Sequence, residues 1–331
     1  MTQSTYDILG IGNAIVDVIA PADDEFLHRL GLPKGGMSLI DAGQAVSLYA
    51  AMAPARESSG GSAANTVAGL ASLGGKGAFI GKVRDDLLGL VFRHDITALG
   101  VAFPTPASVE GPPTARCLIL VTPDAQRTMN TFLGASADLG PEDIDADIVA
   151  ASQVTYLEGY LFDPPRAQAA FRQAAGIAHR AGRKVGLSLS DAFCVERHRA
   201  EFRDLIENHV DILFANEAEI TALYQTHDFD LAAQTVRGQC EIAVLTRSAQ
   251  GSLIVTKDAI HRIEAAKIGK LVDTTGAGDL YAGGFLFGLT HGMSLPDCGR
   301  LGSLCAAEII SHVGARPEVS LKELVAKAGL V

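Results

Sequence analysis

Short apolar runs recur along this chain at residues 8–11, 78–80, 154–157, 185–189, 212–214 and 242–245, separated by longer segments of helical pattern. A run that is apolar at every position has no face to turn to water, so it must be covered on both sides. The intervening helices do the covering. This alternation predicts an α/β fold with a mostly parallel central sheet flanked by helices. Alanine-rich segments at 66–73 and 168–180 read as two of the helices, the second stopped at Ala181-Gly182. Two stretches, 17–45 and 101–131, break the rhythm with short strands and turns. The second carries prolines at 104, 106, 112 and 113 and the β-rich Cys117-Leu-Ile-Leu-Val121. They are expected to pair into a small β-sheet lid. The predicted division is a main α/β domain from 1–12, 46–100 and 132–331, with the lid built from 13–45 and 101–131.

At 331 residues the chain exceeds the size at which one core stops growing, which fits a large domain with a small appendage. Its formal charge of -11 repels phosphate backbones and anionic membrane surfaces, so no nucleic acid and no membrane partner is expected. The five cysteines are odd in number and include no C-x-x-C pair, which argues against a disulfide framework or a zinc site. No apolar run approaches the roughly eighteen residues of a membrane span, and the first residues do not read as a signal peptide. The expectation is a reduced, cytoplasmic protein, with monomer and homodimer both open.

Three glycine-rich segments are candidates for binding phosphate. Gly10-Ile-Gly12-Asn-Ala-Ile15 lacks the third glycine of a dinucleotide fingerprint, and the stretch around Gly77 to Lys82 lacks one spacer of a P-loop and the hydroxyl residue after its lysine. Asp273-Thr-Thr-Gly-Ala-Gly-Asp279 survives better. A strand is expected at 267–272 before it, and a helix with small Gly283 and Gly284 after it. Amides of Gly276, Ala277 and Gly278 would form an anion hole for a phosphoryl group in transfer, while Asp279 accepts the proton of an attacking hydroxyl. Taken alone, Asp279 would as readily cap its helix.

With Gly60-Gly-Ser-Ala-Ala-Asn-Thr66 and Gly81-Lys-Val-Arg-Asp-Asp-Leu-Leu-Gly89, the turn and its following helix make the chain resemble the PfkB (ribokinase-like) carbohydrate and nucleoside kinases over nearly its full length. The resemblance implies ATP with Mg²⁺, a β-sheet lid and Asp279 as catalytic base; a monovalent cation such as K⁺ is a further candidate. Arg84 stands where the family has a glycine, as does Ser248 in Thr246-Arg-Ser-Ala-Gln-Gly251.

On the nucleotide side the resemblance points to Asn216, Thr246, Gly251, Asp273 and Thr274, with Glu219 holding magnesium through water. Gly302, Ser303, Ala306 and Ala307 read as a small-residue helix start against adenine. On the acceptor side Asp17 can accept from two sugar hydroxyls, with Asn13 and Asn65 nearby and Gly61 permitting close approach. Within the family the chain is most similar to the adenosine kinases, through Gly10-Ile-Gly-Asn-Ala-Ile-Val-Asp17, Tyr156-Leu-Glu-Gly-Tyr-Leu-Phe162, residues 210–217 and Gly314-Ala-Arg-Pro-Glu318. Met37, Leu133, Tyr160 and Leu161 are expected to line a slot for the base, and Arg127 to bind phosphate or close the lid. The runner-up is a fructokinase, ribokinase or 2-keto-3-deoxygluconate kinase. A nucleoside-binding protein without turnover and an oxidoreductase are the readings from other classes.

Overall fold

Strand β1 (Tyr6–Ile11) lies between β5 (Gly77–Ile80) and β8 (Ser152–Glu158) and runs parallel to both in the computed structural model, which describes residues 4–124 and 126–330. β9 (Lys184–Ser188), β10 (Ile212–Asn216) and β11 (Ile242–Thr246) continue the parallel order outward from β8. β12 (Ser252–Thr256) and β13 (Ile260–Ile263) complete the far edge antiparallel. Alternation along these strands divides the core in two. Ile8, Val154, Ile212 and Val244 pack under the helices Ser62–Ser72, Ala277–Thr290 and Leu295–Ile309, while Leu9, Leu157, Leu213 and Leu245 pack under the helix Pro165–Arg180. All six expected apolar runs fall in or overlap these strands, and the fold is the expected α/β sheet flanked by helices.

The helices on the first face approach closely because small residues meet there. A Cβ on Gly283 would stand 2.7 Å from the Thr66 carbonyl oxygen, and one on Gly284 2.9 Å from the Cα of Gly302. That contact brings the helix after the glycine turn against the helix that follows Gly60-Gly61.

A second sheet has the order β3 (Met37–Leu39), β7 (Arg127–Phe132), β6 (Ala115–Val121), β2 (Ile15–Pro21) and β4 (Arg56–Gly60). It covers the carboxyl ends of the main strands. Strand β4 lies beyond residue 45, where the first lid excursion was expected to end. Its sequence, Arg-Glu-Ser-Ser-Gly, has no apolar residue to mark it, and only antiparallel pairing with β2 makes it a strand. The strand expected at 267–272 is likewise absent. Ile268 and Leu271 are 40% and 55% exposed, with no sheet alongside to cover them, and the segment is an irregular loop leading to the glycine turn.

The five cysteines are free, four of them buried, and no helix among the described residues is long and apolar enough to cross a membrane.

Candidate active site

A cavity of about 490 Å³ opens between the two sheets, at the carboxyl end of the main one. Ligands collect at that edge in open parallel sheets, beside the point where strand order reverses, and here β1 marks it with β5 on one side and β8 on the other. The roof of the cavity is the inner face of the lid: Ile15 and Asp17 from β2, Met37 and Leu39 from β3, Cys117 and Ile119 from β6, and Met129 and Thr131 from β7. Each pair is two residues apart, the spacing that puts side chains on one face of a strand.

The floor begins at the glycine turn. Gly276 takes the left-handed conformation, φ 77°, and as the residue before the helix Ala277–Thr290 it has no side chain with which to cap it. Among the described residues the amides of Gly276, Gly278 and Asp279 have no hydrogen-bond acceptor, whereas Ala277 donates to the Thr274 carbonyl at 3.2 Å. The amides left open to an anion are therefore those of Gly276, Gly278 and Asp279, and the Ala277 amide is already spent on the turn itself.

Asp279 does not cap its own helix. Its carboxylate crosses to the helix Ser62–Ser72, where it accepts from Ser62 Oγ at 2.6 Å and Asn65 Nδ2 at 2.9 Å. Burial pushes its pKa up, and these two hydrogen bonds and the nearby Arg316 charge pull the other way. The result is a carboxylate more basic than usual, held in a fixed rotamer beside unpaired amides. Asn65 Oδ1 is buried with no partner among the described residues, which leaves it free to accept from a ligand hydroxyl.

Asp17 also lines the cavity, and burial raises its pKa to about 6. Its carboxylate fits because Gly60 lies across the ladder: a Cβ there would come within 2.4 Å of Asp17 Oδ2. Gly61, φ 94°, is equally constrained, since its Cβ would meet the Asn13 carbonyl oxygen at 2.2 Å. Asn13 borders the cavity with a committed side chain. Its Nδ2 donates to Glu158 at 2.6 Å and its Oδ1 accepts from Ser136 Oγ at 2.8 Å.

Glu158, which sequence reasoning did not single out, also accepts from the Ala63 amide at 2.8 Å, tying β1, β8 and the start of the Ser62 helix together. Ser62 and Arg316 were missed as well. Both lie inside quoted motifs, and the only available signal was the spacing of Ser62 and Asn65, three apart on one helix face.

Several nucleotide-side residues turn elsewhere. Asp273 accepts from the Thr275 amide, Thr275 Oγ1 and the Gly314 amide, and Arg127 Nη2 lies 2.5 Å away. It pins the turn and does not face the cavity; Thr274 and Thr246 do. Arg127 Nη1 also donates to Thr275 at 3.1 Å, so this lid residue reaches the turn. Gly302 sits mid-helix, where a Cβ would meet the Tyr281 carbonyl oxygen at 2.7 Å, and Ala306 packs against the core. Both residues of the expected adenine surface serve helix packing, while Ser303 of the same expected surface borders a separate cavity with Ile260, Glu264 and Ala266. Leu161 is also core; Met37, Leu133 and Tyr160 line the cavity.

Asn216 and Glu219 border it too, joined in a reciprocal cap: Asn216 Nδ2 donates to Glu219 at 2.6 Å and the Glu219 amide to Asn216 Oδ1 at 2.9 Å. Burial lifts the Glu219 carboxyl to about 7. Among the described residues no group of three or more His, Cys, Asp and Glu side chains could hold a metal.

The family model for pfkB family carbohydrate kinases matches residues 37–321, from the third strand of this architecture to the start of its last helix. The chain belongs to the PfkB family. It is similar to a probable sugar kinase from Rhizobium etli, 51% identical over 99% of this chain and 100% of that one, TM-score 0.95. It is similar also to the adenosine kinase from Sinorhizobium meliloti, 54% identical over 98% and 100%, TM-score 0.93. A probable chloroplastic fructokinase of Arabidopsis thaliana is 29% identical over 88% of this chain and 80% of its own. As a PfkB protein the chain is a kinase, a phosphotransferase acting on a small molecule.

Its two departures from the PfkB pattern now have locations. Arg84 sits in the loop before the helix Leu87–Ala98, its amide donating to Thr114 Oγ1 at 3.0 Å. Ser248 holds φ 49° in the turn between β11 and β12, the left-handed region where a glycine would be unstrained. Gly251 closes the same turn, with a Cβ there 2.0 Å from the Ile263 carbonyl oxygen.

Proposed function

We propose that this PfkB kinase transfers the γ-phosphoryl group of ATP to the 5′-hydroxyl of a nucleoside, adenosine first among them. The observation that supports the nucleoside is the make-up of the cavity. Polar groups, Asp17 from the lid and the unpaired Asn65 Oδ1 from the floor, lie beside a run of apolar lid residues, Ile15, Met37, Leu39, Ile119 and Met129. A sugar alone meets the polar groups and leaves those apolar lid residues against water; a nucleoside sets its ribose against the polar groups and its base against the apolar residues. Asp17 would accept from the ribose hydroxyls, and the base under the lid would help hold the 5′-hydroxyl against Asp279.

Asp279 then takes the proton of that hydroxyl as its oxygen attacks phosphorus, and the open amides of Gly276, Gly278 and Asp279 stabilise the charge on the moving group. Mg²⁺ would neutralise charge on the phosphates. Glu219 and Asn216 fit it only through water, because each already holds the other, and the metal would take its remaining ligands from phosphate oxygens and solvent. In the turn Asp273 already accepts three hydrogen bonds and faces the Arg127 guanidinium, which leaves it little capacity to hold K⁺.

Side-by-side kcat/KM values for adenosine, 2′-deoxyadenosine, guanosine, ribose, fructose and 2-keto-3-deoxygluconate test the acceptor. Burying a base removes about 100 Å² of apolar surface at about 25 cal/mol per Å², so adenosine should exceed fructose by about two orders of magnitude. Loss of the 2′-hydroxyl should cost a further tenfold or so, by stranding an acceptor. The relatives that carry sugar kinase names favour the second reading. Fructose or ketodeoxygluconate turning over as well as adenosine would establish it.

A further inference from the structure

Arg316 lies in the loop after the helix Leu295–Ile309, within the segment Gly314-Ala-Arg-Pro-Glu318. Its side chain is buried and makes three hydrogen bonds. Nη1 donates to the Ala64 carbonyl at 2.6 Å, Nε to the Ser59 carbonyl at 3.2 Å and Nη2 to Ser59 Oγ at 3.3 Å. Ala64 stands between Ser62 and Asn65, the two residues that hold Asp279. Ser59 belongs to β4, next to Ser58, which pairs with Asp17 across the ladder. We propose that Arg316 is a positioning residue for phosphoryl transfer: one guanidinium braces the helix turn that fixes the base and the strand beside the sugar-binding carboxylate, and supplies positive charge to both.

Charge balance in this region supports the assignment. Six acidic residues line the cavity; Asp163 pairs with Arg197 and His198, while Asp17, Glu158, Glu219 and Asp279 are each disfavoured as anions by burial. Two cations oppose them at Asp17, Arg316 first and Arg127 second, and Arg127 already faces Asp273. At Asp279 the cation is Arg316, acting beside the Ser62 and Asn65 hydrogen bonds. Other groups that feel these carboxylates are Cys117 beside Asp17, and Asp17, Tyr156, Tyr160, Glu158 and Glu219 around Asp279, none of them positive; Asp191 acts on Glu219, and Asp95 is a third acid beside Arg316. Burial pulls the Arg316 pKa down only to about 10, so it remains charged across the working range. Its position is also fixed in a way a lysine could not match, because a planar fork serves two carbonyls and a hydroxyl at once.

The assignment rests on Asp279 as base and Asp17 as acceptor ligand, and Asp279→Asn tests that foundation separately: near-normal turnover there removes it whatever Arg316 does. For Arg316 the measurement is kcat/KM against pH, with thermal unfolding recorded at each pH. Arg316→Gln should move the acid limb up by about one pH unit, so that activity is lost about fivefold more at about pH 6 than at about pH 8. Arg316→Lys keeps the charge and loses the fork. It should hold the acid limb at its original pH while kcat falls about tenfold. A folded Arg316→Gln enzyme with an unmoved limb overturns the proposal, as does a limb moved equally by Lys and Gln. If the Gln variant fails to fold, an Arg316→Lys enzyme with unchanged kcat overturns it alone.

Discussion

Two helices open on the cavity with an acidic residue at the same third position, and the two acids do different things. In Glu217–Tyr224 the preceding residue is Asn216, whose side chain closes a reciprocal cap with Glu219. In Ala277–Thr290 the preceding residue is Gly276, which has no side chain to offer. Asp279 is thereby released from local duty, and its carboxylate is taken up by Ser62 and Asn65, 217 and 214 residues away in sequence. The glycine thus does two things: it reaches the left-handed turn that leaves amides open, and it frees the acid beside them. An asparagine at the same place makes a stable helix start and a carboxylate occupied with its own helix.

The largest test of this contrast is Asp279→Asn. It should lower kcat by about 10² to 10⁴-fold, the range for a positioned general base, with acceptor and ATP affinities nearly unchanged. Rapid-quench or coupled ADP assays together with calorimetric binding would show it, and normal kcat would make the two helix starts functionally alike.

Glu219→Gln should act mainly on stability. Burial raises the Glu219 pKa from 4.5 to about 7, so the folded protein binds the proton more tightly than the unfolded chain does. Stability is therefore greatest below the unfolded pKa and is lost as pH rises through the folded one. Glutamine, neutral at every pH, keeps one of the two hydrogen bonds accepted from Asn216 and should cancel that pH-dependent loss. The variant should gain about 2 kcal/mol on the wild type between about pH 5 and about pH 8 in denaturant titrations. A shifted Mg²⁺ requirement in the same variant would add a role through metal-bound water; an unchanged Mg²⁺ titration leaves the cap alone.

The smallest effect is expected at the third turn on this edge, where Ser248 holds a left-handed conformation without being glycine. Ser248→Gly should stabilise the fold by about 1 kcal/mol, visible as a higher Tm, with kcat little altered. A fall in kcat would instead mean that the serine hydroxyl serves the nucleotide.

Much of the architecture was legible because it is written locally. Apolar runs such as 154–157 and 212–214 need cover on both faces wherever they occur, and they fall in strands that run side by side. β4 was illegible for the opposite reason: Arg-Glu-Ser-Ser-Gly has neither the period nor the composition of a strand, and hydrogen bonds from β2 supply what its side chains do not. The segment 267–272 shows the same rule inverted, with strand-like composition and no neighbour to pair with. At the site, Asp17, Asn65 and the Gly276 turn were visible through their motifs. Glu158 and Arg316 were not, since a lone buried charge betrays itself only through the groups packed around it.

By itself the sequence settled the periodicity that builds the sheet, the glycines that permit the turn and the close approach at Gly60 and Gly61, and the presence of an acid after that turn. These depend on backbone sterics and on the water-avoidance of side chains, which act within a few residues. Only the tertiary structure decided which groups the acid meets, that the Ala277 amide is spent, that Asp273 faces Arg127, and that Gly302 serves packing. Hydrogen bonds and charge pairs act over a few ångströms in space whatever the separation along the chain, so the partners of Asp279 could be read only once the helices after Gly61 and Gly276 had packed together.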